Sequence, residues 1–271
     1  MMRQDLRQKI AALDRTLDNI GHVSVAVSGG VDSITLAFAA HRRHGPGATM
    51  YHAVSPAVPA EATARTRDLA SRFNWQLEII DAGEFSDPDY VRNPVNRCFY
   101  CKTNLYGIIA QRTNQPIASG TNVDDLGDYR PGLKAAESHG VRHPYVEAGI
   151  DKTMVREIAR AHGLDEVSEL PASPCLSSRI ETGIKVDPES LSFVHTVEKL
   201  VSQKLKPSIV RCRIRQQSVA IELDEATYRG TCTETKADLK REIEDYVANI
   251  GRVCRVEFCL YKMGSAFLRD T

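Results

Sequence analysis

The chain has 271 residues, which is more than one average domain and fewer than three, so we expect one large and one small domain. Its 35 Lys and Arg residues balance its 35 Asp and Glu residues, which argues against a general attraction to nucleic acid or to an anionic membrane. Residues 1–20 carry charges every few positions, and no apolar run approaches the roughly 20 residues that span a bilayer. We therefore expect a cytoplasmic protein without an export signal or a membrane segment.

Strand-like and helix-like patterns alternate through the first part of the chain. A helical spacing of apolar residues predicts an opening helix over 3–19, and residues 23–27 predict a buried strand that leads through a loop into a second helix. Further strands are predicted at 49–54, 77–80 and 116–119, and further helices at 59–73, 99–113 and 151–163. Alternation of this kind predicts an α/β fold with a doubly wound, mainly parallel sheet.

The pattern changes after Gly183. The predicted elements there are a helix at 188–205, strands at 209–215 and 218–224, a helix at 234–250 and a strand at 252–261. Period-two alternation in the strands predicts an antiparallel sheet with one covered face, and hence a small α+β domain. We predict domains at 1–183 and 184–271, the second serving substrate binding or oligomerisation.

A glycine-rich loop, Ser28-Gly29-Gly30-Val31-Asp32-Ser33, lies where the first strand leads into a helix. Two glycines let a ligand approach the backbone closely, and the N–H groups of a helix start form an anion site. The hydroxyls of Ser28 and Ser33 can bind phosphate oxygens, and Asp32 can hold Mg²⁺ or cap the helix. The alternative is an ordinary glycine turn. The string G-x-x-x-x-G-K-[ST] does not occur, which excludes the other common phosphate loop.

The string SGGVDS after a strand resembles the signature of the PP-loop ATP pyrophosphatase superfamily, whose members cleave ATP between the α and β phosphates and transfer AMP to an oxygen. The resemblance implies an adenine nucleotide alpha hydrolase-like fold, with ATP and Mg²⁺ bound at this loop. It does not choose among amide ligases, tRNA thiolases and other sulfur-transfer enzymes.

Further segments narrow the choice. NPVNRCFYCKTNLY at 93–106, SGTNVDDLGDYRPGLKAAESHG at 119–140, DKTMVREIARAHGL at 151–164 and PASPCLSSRIETG at 171–183, taken with the loop, resemble the LarE family. That family inserts sulfur during biosynthesis of the nickel-pincer nucleotide of lactate racemase, and the likeness covers most of residues 20–225. It implies a homo-oligomer that adenylates pyridinium-3,5-dicarboxylate mononucleotide and receives sulfur from sulfide or a cysteine-derived donor.

The segment 119–140 supplies polar residues for a nucleotide site. Gly120 ends a predicted strand, and Asp124, Asp125 and Arg130 follow. Carboxylates at a nucleotide hold Mg²⁺, and an arginine can bind phosphate through two hydrogen bonds. The alternative for the aspartates is a solvated acidic turn. Resemblance to PP-loop enzymes places Lys152 on the nucleotide phosphates, which completes a predicted ATP set of the loop residues with Gly120, Asp125, Arg130 and Lys152.

Three cysteines form the second candidate site. Cys98-x-x-Cys101 is a metal or redox pattern in a cytosolic protein, and Cys175 lies in a proline-bounded loop. Resemblance to three-cysteine members of the LarE family implies a [4Fe–4S] cluster on the three thiolates with one open iron. Zinc and a sacrificial Cys175 acting alone stay open as alternatives. Nearby Arg179 is predicted to bind phosphate or adenylate and to act in catalysis with Cys175. The remaining cysteines are predicted to be structural: Cys212, Cys232, Cys254 and Cys259.

Arg211, Arg213 and Arg215 occupy alternate positions of one predicted strand and so share a face. Like charges in a row repel unless something anionic lies across them. One possibility is a solvated ladder with Glu222 and Asp224 of the next strand. The other is the phosphate and carboxylates of a substrate, which the family resemblance favours for Arg211 or Arg213.

The leading hypothesis is a sulfurtransferase with Cys175, Asp32 and Arg179 as catalytic residues. A PP-loop tRNA thiolase is the enzymatic rival, and the neutral overall charge counts against it. An amide ligase needs no cysteines but requires an ammonia source, and the sequence has no glutaminase signature. A zinc-stabilised nucleotide-binding module without chemistry is the non-enzymatic alternative.

Overall fold

The computed structural model describes residues 3–127, 131–172, 174–249 and 255–267. The chain divides into two compact units, one made of Met1–Glu84 with Asn96–Ser173 and the other of Phe85–Val95 with Pro174–Thr271. The predicted domains 1–183 and 184–271 stay a prediction, because a compact unit is not by itself an independently folding domain.

The first unit contains four strands and several helices. The strands are β1 (Val23–Ala26), β2 (Ala48–Ala53), β3 (Gln76–Ile80) and β4 (Ile117–Ser119). The helices are α1 (Gln4–Ile20), α2 (Val31–His44), α3 (Ala60–Phe73), α5 (Arg97–Arg112), α6 (Pro131–Ser138), α7 (Pro144–Glu147), α8 (Lys152–Ala161) and α9 (Asp165–Ser168), with α4 (Pro88–Val91) in the other unit.

The sheet of the first unit is parallel throughout, in the order β3-β2-β1-β4. Strand β1 lies between β2 and β4, where Ser24 pairs with Thr49 on one side and with Ile117 on the other. All residues of β1 are buried, as expected for a strand covered on both faces. Because parallel strands end at one edge, the loops after β1, β2 and β4 share that edge.

One apolar core holds helices against this sheet. Leu13 and Leu17 of α1, Ile34 of α2 and Ile158 of α8 are buried together with Val25 of β1. Each leucine or isoleucine that is fully removed from water contributes roughly 1.5–3 kcal/mol. The core therefore fixes the start of α2, and with it the loop after β1.

The second unit combines three strands with helices. They are α10 (Pro188–Leu205), β5 (Val210–Ile214), β6 (Ser218–Leu223), α11 (Glu225–Gly230), α12 (Thr233–Asn249) and β7 (Arg255–Leu260). Strands β5 and β6 are antiparallel, but β7 runs parallel to β6. The prediction of a fully antiparallel sheet was therefore wrong, because α11 and α12 form a crossover that returns the chain in the same direction.

Residues 85–95 belong to the second unit although they interrupt the first along the chain. The Tyr90 hydroxyl lies 2.7 Å from Ser177 Oγ. Asn93 Nδ2 donates to the carbonyls of Glu181 and Ile184, each at 2.9 Å. These hydrogen bonds connect residues 85–95 with residues 177–184, which follow 87 to 91 positions later in the sequence.

The predicted fold class is confirmed: an α/β unit with a parallel sheet flanked by helices, followed by a small unit with its own sheet. Across the described residues, no helix is both long and apolar enough to pass through a membrane. The predicted strand–loop–helix of residues 23–42 is also confirmed, with β1 and α2 on either side of the glycines.

Candidate nucleotide and cysteine sites

The two glycines of the loop have different structural requirements. Gly29 has a φ of +81°, and a Cβ there would lie 2.8 Å from the Ala62 carbonyl oxygen, so only glycine fits. Gly30 has a φ of −87°, and a Cβ there would meet only Ser28 Oγ at 3.6 Å. The protein's own packing therefore leaves room in front of Gly30, as a phosphate-binding loop requires.

The start of α2 receives no side-chain cap. Gly30 occupies the N-cap position, and no side-chain hydrogen bond caps the helix within the described chain. Ser33 Oγ instead accepts from the Ser28 N–H at 3.0 Å and donates to the Gly30 carbonyl at 3.1 Å. The first N–H groups of a 14-residue helix thus face the loop without a competing side chain, which suits an anion.

Residues of β2 and α3 hold the loop from behind. His52 Nδ1 lies 2.8 Å from the Val27 carbonyl oxygen, and His52 Nε2 lies 2.9 Å from Thr63 Oγ1. Burial lowers the pKa of His52, so the imidazole is neutral near pH 7. Arg65 Nη1 donates to the Gly29 carbonyl at 2.7 Å. None of these rear contacts was predicted from the sequence.

Asp32 joins the loop to the start of α8. Its carboxylate forms an ion pair with the Lys152 ammonium and accepts from Asn122 Nδ2 at 3.1 Å. Asp151 caps α8 by accepting from the Met154 N–H at 2.7 Å, which places Lys152 at the helix start. Asp32 is therefore not the cap of α2, and its ion pair with Lys152 brings together two residues predicted for ATP.

The acidic turn after β4 is ordered by hydrogen bonds. Asp124 Oδ2 accepts from the Lys152 N–H at 3.0 Å, and Asp125 Oδ2 accepts from the Asn122 N–H at 3.0 Å. These bonds order Asp124 and Asp125 near the Asp32–Lys152 pair, although Asp124 itself is exposed to solvent. A Mg²⁺ role for Asp125 stays a prediction, and Arg130 and Asp128 lie outside the described residues.

Gly120 has a packing role at the end of β4. A Cβ there would lie 2.9 Å from the carbonyl carbon of Asp32 and from the Ser33 nitrogen. Tyr145 is fully buried and donates its hydroxyl to the Asp32 carbonyl at 3.0 Å. Burial, aided by the charge of Asp32, raises the pKa of Tyr145 well above its usual value. Backbone packing against Gly120 thus fixes the loop, and contact of Gly120 with ATP stays a prediction.

Cys98 and Cys101 lie one turn apart in the first half of α5, and both are partly exposed. Residues at i and i+3 share one face of a helix, so two soft sulfur ligands project in the same direction. Within the described part of either unit, no three His, Cys, Asp or Glu side chains gather into a metal-binding group. Cys175 belongs to the second unit, and a cluster on all three cysteines stays a prediction.

Cys175 precedes a short 3₁₀ turn whose shape depends on Arg179. The Cys175 carbonyl accepts from the Ser178 hydroxyl at 2.7 Å and from Arg179 Nη1 at 3.1 Å. Arg179 Nη1 also donates to the Pro174 carbonyl at 2.6 Å. The guanidinium forms two bonds to Glu198, at 2.9 and 3.1 Å, and is only 3% exposed. Arg179 thus organises the Cys175 loop, and its binding of phosphate stays a prediction.

Arg213 and Glu222 form a buried ion pair. Arg213 Nε donates to Glu222 Oε2 at 3.0 Å, and Arg213 Nη1 donates to the Ser178 carbonyl at 2.9 Å. Arg215 bonds the other Glu222 oxygen at 3.3 Å and Glu257 at 3.2 Å. The anionic partner of Arg213 is thus Glu222, but the pair is buried and is not the solvated ladder that the sequence suggested.

Arg211 differs from Arg213 on the same strand and from Arg215, which follows the end of β5. It is half-buried, lies 5.9 Å from the centre of the Tyr261 ring, and donates to the carbonyl of Val210 at 2.7 Å. Burial lowers the pKa of Arg211, and the nearby charge of Arg179 lowers it further. Two neighbouring guanidinium groups favour an anion between or beside them.

The hypothetical ladder places Asp224 opposite the arginines of β5, but its carboxylate instead accepts hydrogen bonds from other residues. It caps α11 by accepting from the Thr227 N–H at 3.0 Å, and it also accepts from the N–H groups of Ser208 and Ile209. Burial alone would raise its pKa, but these bonds outweigh that effect and lower the pKa to about 2.

The four remaining cysteines have varied surroundings. Cys212 is completely buried, which confirms the prediction that it points into a core. Cys259 is half-buried and Cys232 is exposed. Cys254 lies outside the described residues.

The parallel sheet and the uncapped glycine loop define an α/β protein with a candidate anion site at the carboxyl edge of its sheet. No protein-family model matches the chain. It is 30% identical over 226 residues to the pyridinium-3,5-bisthiocarboxylic acid mononucleotide synthase of Lactiplantibacillus plantarum, covering 82% of this chain and 81% of that protein. The chain belongs to the LarE family.

Two further relatives have no assigned activity. An uncharacterized protein of Synechocystis sp. is 37% identical over 229 residues, which covers 81% of this chain and 80% of that protein. An uncharacterized protein of Methanocaldococcus jannaschii is 25% identical over 181 residues, covering 65% and 68%.

Proposed function

We propose that this protein is an ATP-dependent sulfurtransferase that converts carboxylates of pyridinium-3,5-dicarboxylate mononucleotide into thiocarboxylates, with AMP and pyrophosphate as products. The observation that carries the proposal is the glycine loop, whose helix start is uncapped and whose Gly30 faces open space. Support for the substrate comes from the name of the Lactiplantibacillus relative, which describes the bisthiocarboxylic acid of the same nucleotide.

In the first half-reaction, a substrate carboxylate oxygen attacks the α-phosphorus of ATP. A P–O bond forms, the bond to the bridging oxygen breaks, and pyrophosphate leaves. The N–H groups at the start of α2 are aimed to hold the pyrophosphate end, because they offer hydrogen bonds and the positive end of a helix dipole. The Ser28 hydroxyl, which is exposed at the loop, adds a donor.

The Asp32–Lys152 pair is proposed to change partners when the nucleotide binds. Lys152 then donates to phosphate oxygens, and Asp32 becomes a ligand of Mg²⁺ together with Asp125. The two side chains are partly exposed, at 33% for Lys152 and 26% for Asp32, so both are accessible to a ligand. An exchange of this kind keeps each charge compensated before and after binding. Arg130 completes the proposed phosphate contacts.

In the second half-reaction, a sulfur nucleophile attacks the carbonyl carbon of the acyl adenylate, and AMP leaves with the original oxygen. Cys98 and Cys101 fit a soft metal, because they project from one face of α5, and Cys175 is the proposed third thiolate. A [4Fe–4S] cluster on these three thiolates would supply an iron that can bind exogenous sulfide. Arg179 holds the backbone of the Cys175 loop in place during the reaction.

Arg211 is the best placed of the β5 arginines to bind the anionic substrate. Arg213 is engaged by Glu222 and by the Ser178 carbonyl and is buried, whereas Arg211 is only half-buried, and its pKa is lowered first by burial and then by the charge of nearby Arg179. A phosphate or carboxylate next to Arg211 would relieve that repulsion. We further propose a cytoplasmic homo-oligomer, as the family resemblance implies.

The test is anaerobic incubation of the protein with ATP, sulfide and the pyridinium dicarboxylate nucleotide, followed by mass spectrometry. We expect AMP, pyrophosphate and thiocarboxylate in equal amounts, and strong loss of product in Lys152→Met. The exposed Lys185→Met variant is the matched control and should retain activity. ADP as the nucleotide product, or turnover with tRNA instead of the pyridinium nucleotide, contradicts the proposal.

Metal analysis and intact mass separate the two sulfur sources. Iron and sulfide in the protein, several product equivalents per chain and an unchanged protein mass support the cluster. If Cys175 is the donor instead, its thiolate displaces AMP, the Cα proton is removed and the Cβ–S bond breaks, leaving dehydroalanine. The protein then makes one equivalent and loses about 34 Da, the mass of H₂S. In that case Cys98→Ala still supports one turnover.

A further inference from the structure

The peptide between Gly29 and Gly30 is held from the side of the loop that faces α3. Arg65 of α3 is half-buried and its Nη1 donates to the Gly29 carbonyl at 2.7 Å. In a trans peptide the carbonyl and the following N–H point in opposite directions. The bond to Arg65 therefore aims the Gly30 N–H away from Arg65 and α3.

The peptide plane between Gly29 and Gly30 can turn about its flanking backbone bonds unless a side chain restrains it. Gly29 has a φ of +81°, and glycine reaches many backbone conformations at little cost. Rotation of the peptide would present the Gly29 carbonyl oxygen, instead of the Gly30 N–H, to an incoming phosphate. An oxygen in that place repels an anion, so the orientation of this one peptide decides whether the loop accepts phosphate.

The neighbouring residues are engaged elsewhere, which leaves Arg65 to hold the Gly29 carbonyl. The neutral His52 contacts the Val27 carbonyl, which lies two residues before the Gly29 carbonyl, and the other His52 nitrogen contacts Thr63 Oγ1. Ala62 closes the rear wall against Gly29. Arg67, two residues further along α3, is exposed and serves as a matched control with the same charge.

We propose that Arg65 is a positioning residue that orients the Gly29–Gly30 peptide to bind the pyrophosphate part of a nucleoside triphosphate. The inference rests on the proposed function for its ligand, but not for the peptide orientation itself. Arg65 acts through the backbone and does not touch the nucleotide. The positive charge of Arg65 makes a second, smaller contribution to the binding of the anionic ligand. A lysine at this position retains that charge but lacks the planar donor group of arginine.

The experiment compares the wild type with Arg65→Met, Arg65→Lys and Arg67→Met. Calorimetric titration with Mg²⁺-ATP measures affinity, and ¹⁵N-glycine labelling reports the Gly30 amide resonance with and without pyrophosphate. We expect Arg65→Met to weaken ATP binding by about tenfold or more, because a charge-assisted restraint is lost. Arg65→Lys should recover part of the affinity, and Arg67→Met should match the wild type.

The Gly30 resonance distinguishes positioning from a general loss of structure. In Arg65→Met it should move in the nucleotide-free protein, while the Gly120 resonance at the end of β4 stays in place. Unchanged ATP affinity and an unchanged Gly30 resonance in Arg65→Met would overturn the inference. If the wild type itself binds no ATP, the proposed function fails, and the Gly30 resonance of Arg65→Met still decides whether Arg65 orients the peptide.

Discussion

Replacing Arg213 with methionine should destabilise the second unit far more than it affects nucleotide binding. Among the described residues, the change leaves Glu222, which is 1% exposed, with Arg215 at 3.3 Å and the Ser265 hydroxyl at 2.5 Å as donors. Breaking a buried ion pair costs about 3–5 kcal/mol, and the two remaining donors place the expected loss near the lower end. The Ser178 carbonyl also loses its donor.

Urea unfolding followed by far-UV circular dichroism measures this loss. Trp75 is the only tryptophan in the sequence and lies in the first unit, so its fluorescence serves as an internal reference that should change little. The double variant Arg213→Met/Glu222→Leu should recover about 2 kcal/mol, because no uncompensated buried charge remains. The exposed pair of Arg229 with Glu225 is the control, with an expected loss of about 0.5 kcal/mol or less for Arg229→Ala.

A different result would refute the structural role. If Arg213→Met keeps the unfolding midpoint of the wild type but raises the KM for the pyridinium nucleotide, Arg213 binds substrate and its pairing with Glu222 contributes little to stability. Arg211→Met provides the contrast, since we expect it to raise that KM while leaving the KM for ATP unchanged.

Three further results are expected. Gly29→Ala should lower the melting temperature, because Gly29 has a positive φ and a Cβ there would lie 2.8 Å from the Ala62 carbonyl oxygen. Gly30→Ala should fold normally but lose ATP affinity in a calorimetric titration. The carboxylate of Asp224, with a pKa of about 2 against an ordinary 3.8, should stabilise the fold above about pH 4 and lose that contribution as pH falls through 2. In an acid titration followed by circular dichroism, Asp224→Ala should not show this loss of stability. An unfolding curve identical to that of the wild type would contradict the prediction. Tyr145→Phe should cost about 1 kcal/mol in urea unfolding, since the Asp32 carbonyl loses a buried donor.

Structural elements that depend on residues close together in the sequence were predicted correctly. The apolar run of β1, the glycine loop and the start of α2 follow one another along the chain, so local pattern and turn chemistry were sufficient to place them. Short helices such as α4 (Pro88–Val91), α7 (Pro144–Glu147) and α9 (Asp165–Ser168) were missed, because four residues carry too little periodicity. The direction of β7 was also missed, since pairing between distant strands leaves no local signal.

Sequence analysis did not predict the contacts of site residues whose partners are distant along the chain. Asp32 and Lys152 were each predicted at the nucleotide, but their mutual ion pair joins residues 120 positions apart. Arg65 and His52 carry no motif, because they act on backbone carbonyls that every residue possesses. Alternation placed the β5 arginines on one face correctly, yet it could not say that Glu222 would be buried with Arg213.

The assignment of residues 85–95 to the second unit has a consequence for biosynthesis. A ribosome adds residues 85–95 well before their partners in the second unit. Until residues 177–184 have been added, Tyr90 lacks Ser177, and Asn93 lacks the carbonyls of Glu181 and Ile184. The segment 85–95 can therefore reach its native contacts only after almost the whole first unit has been synthesised.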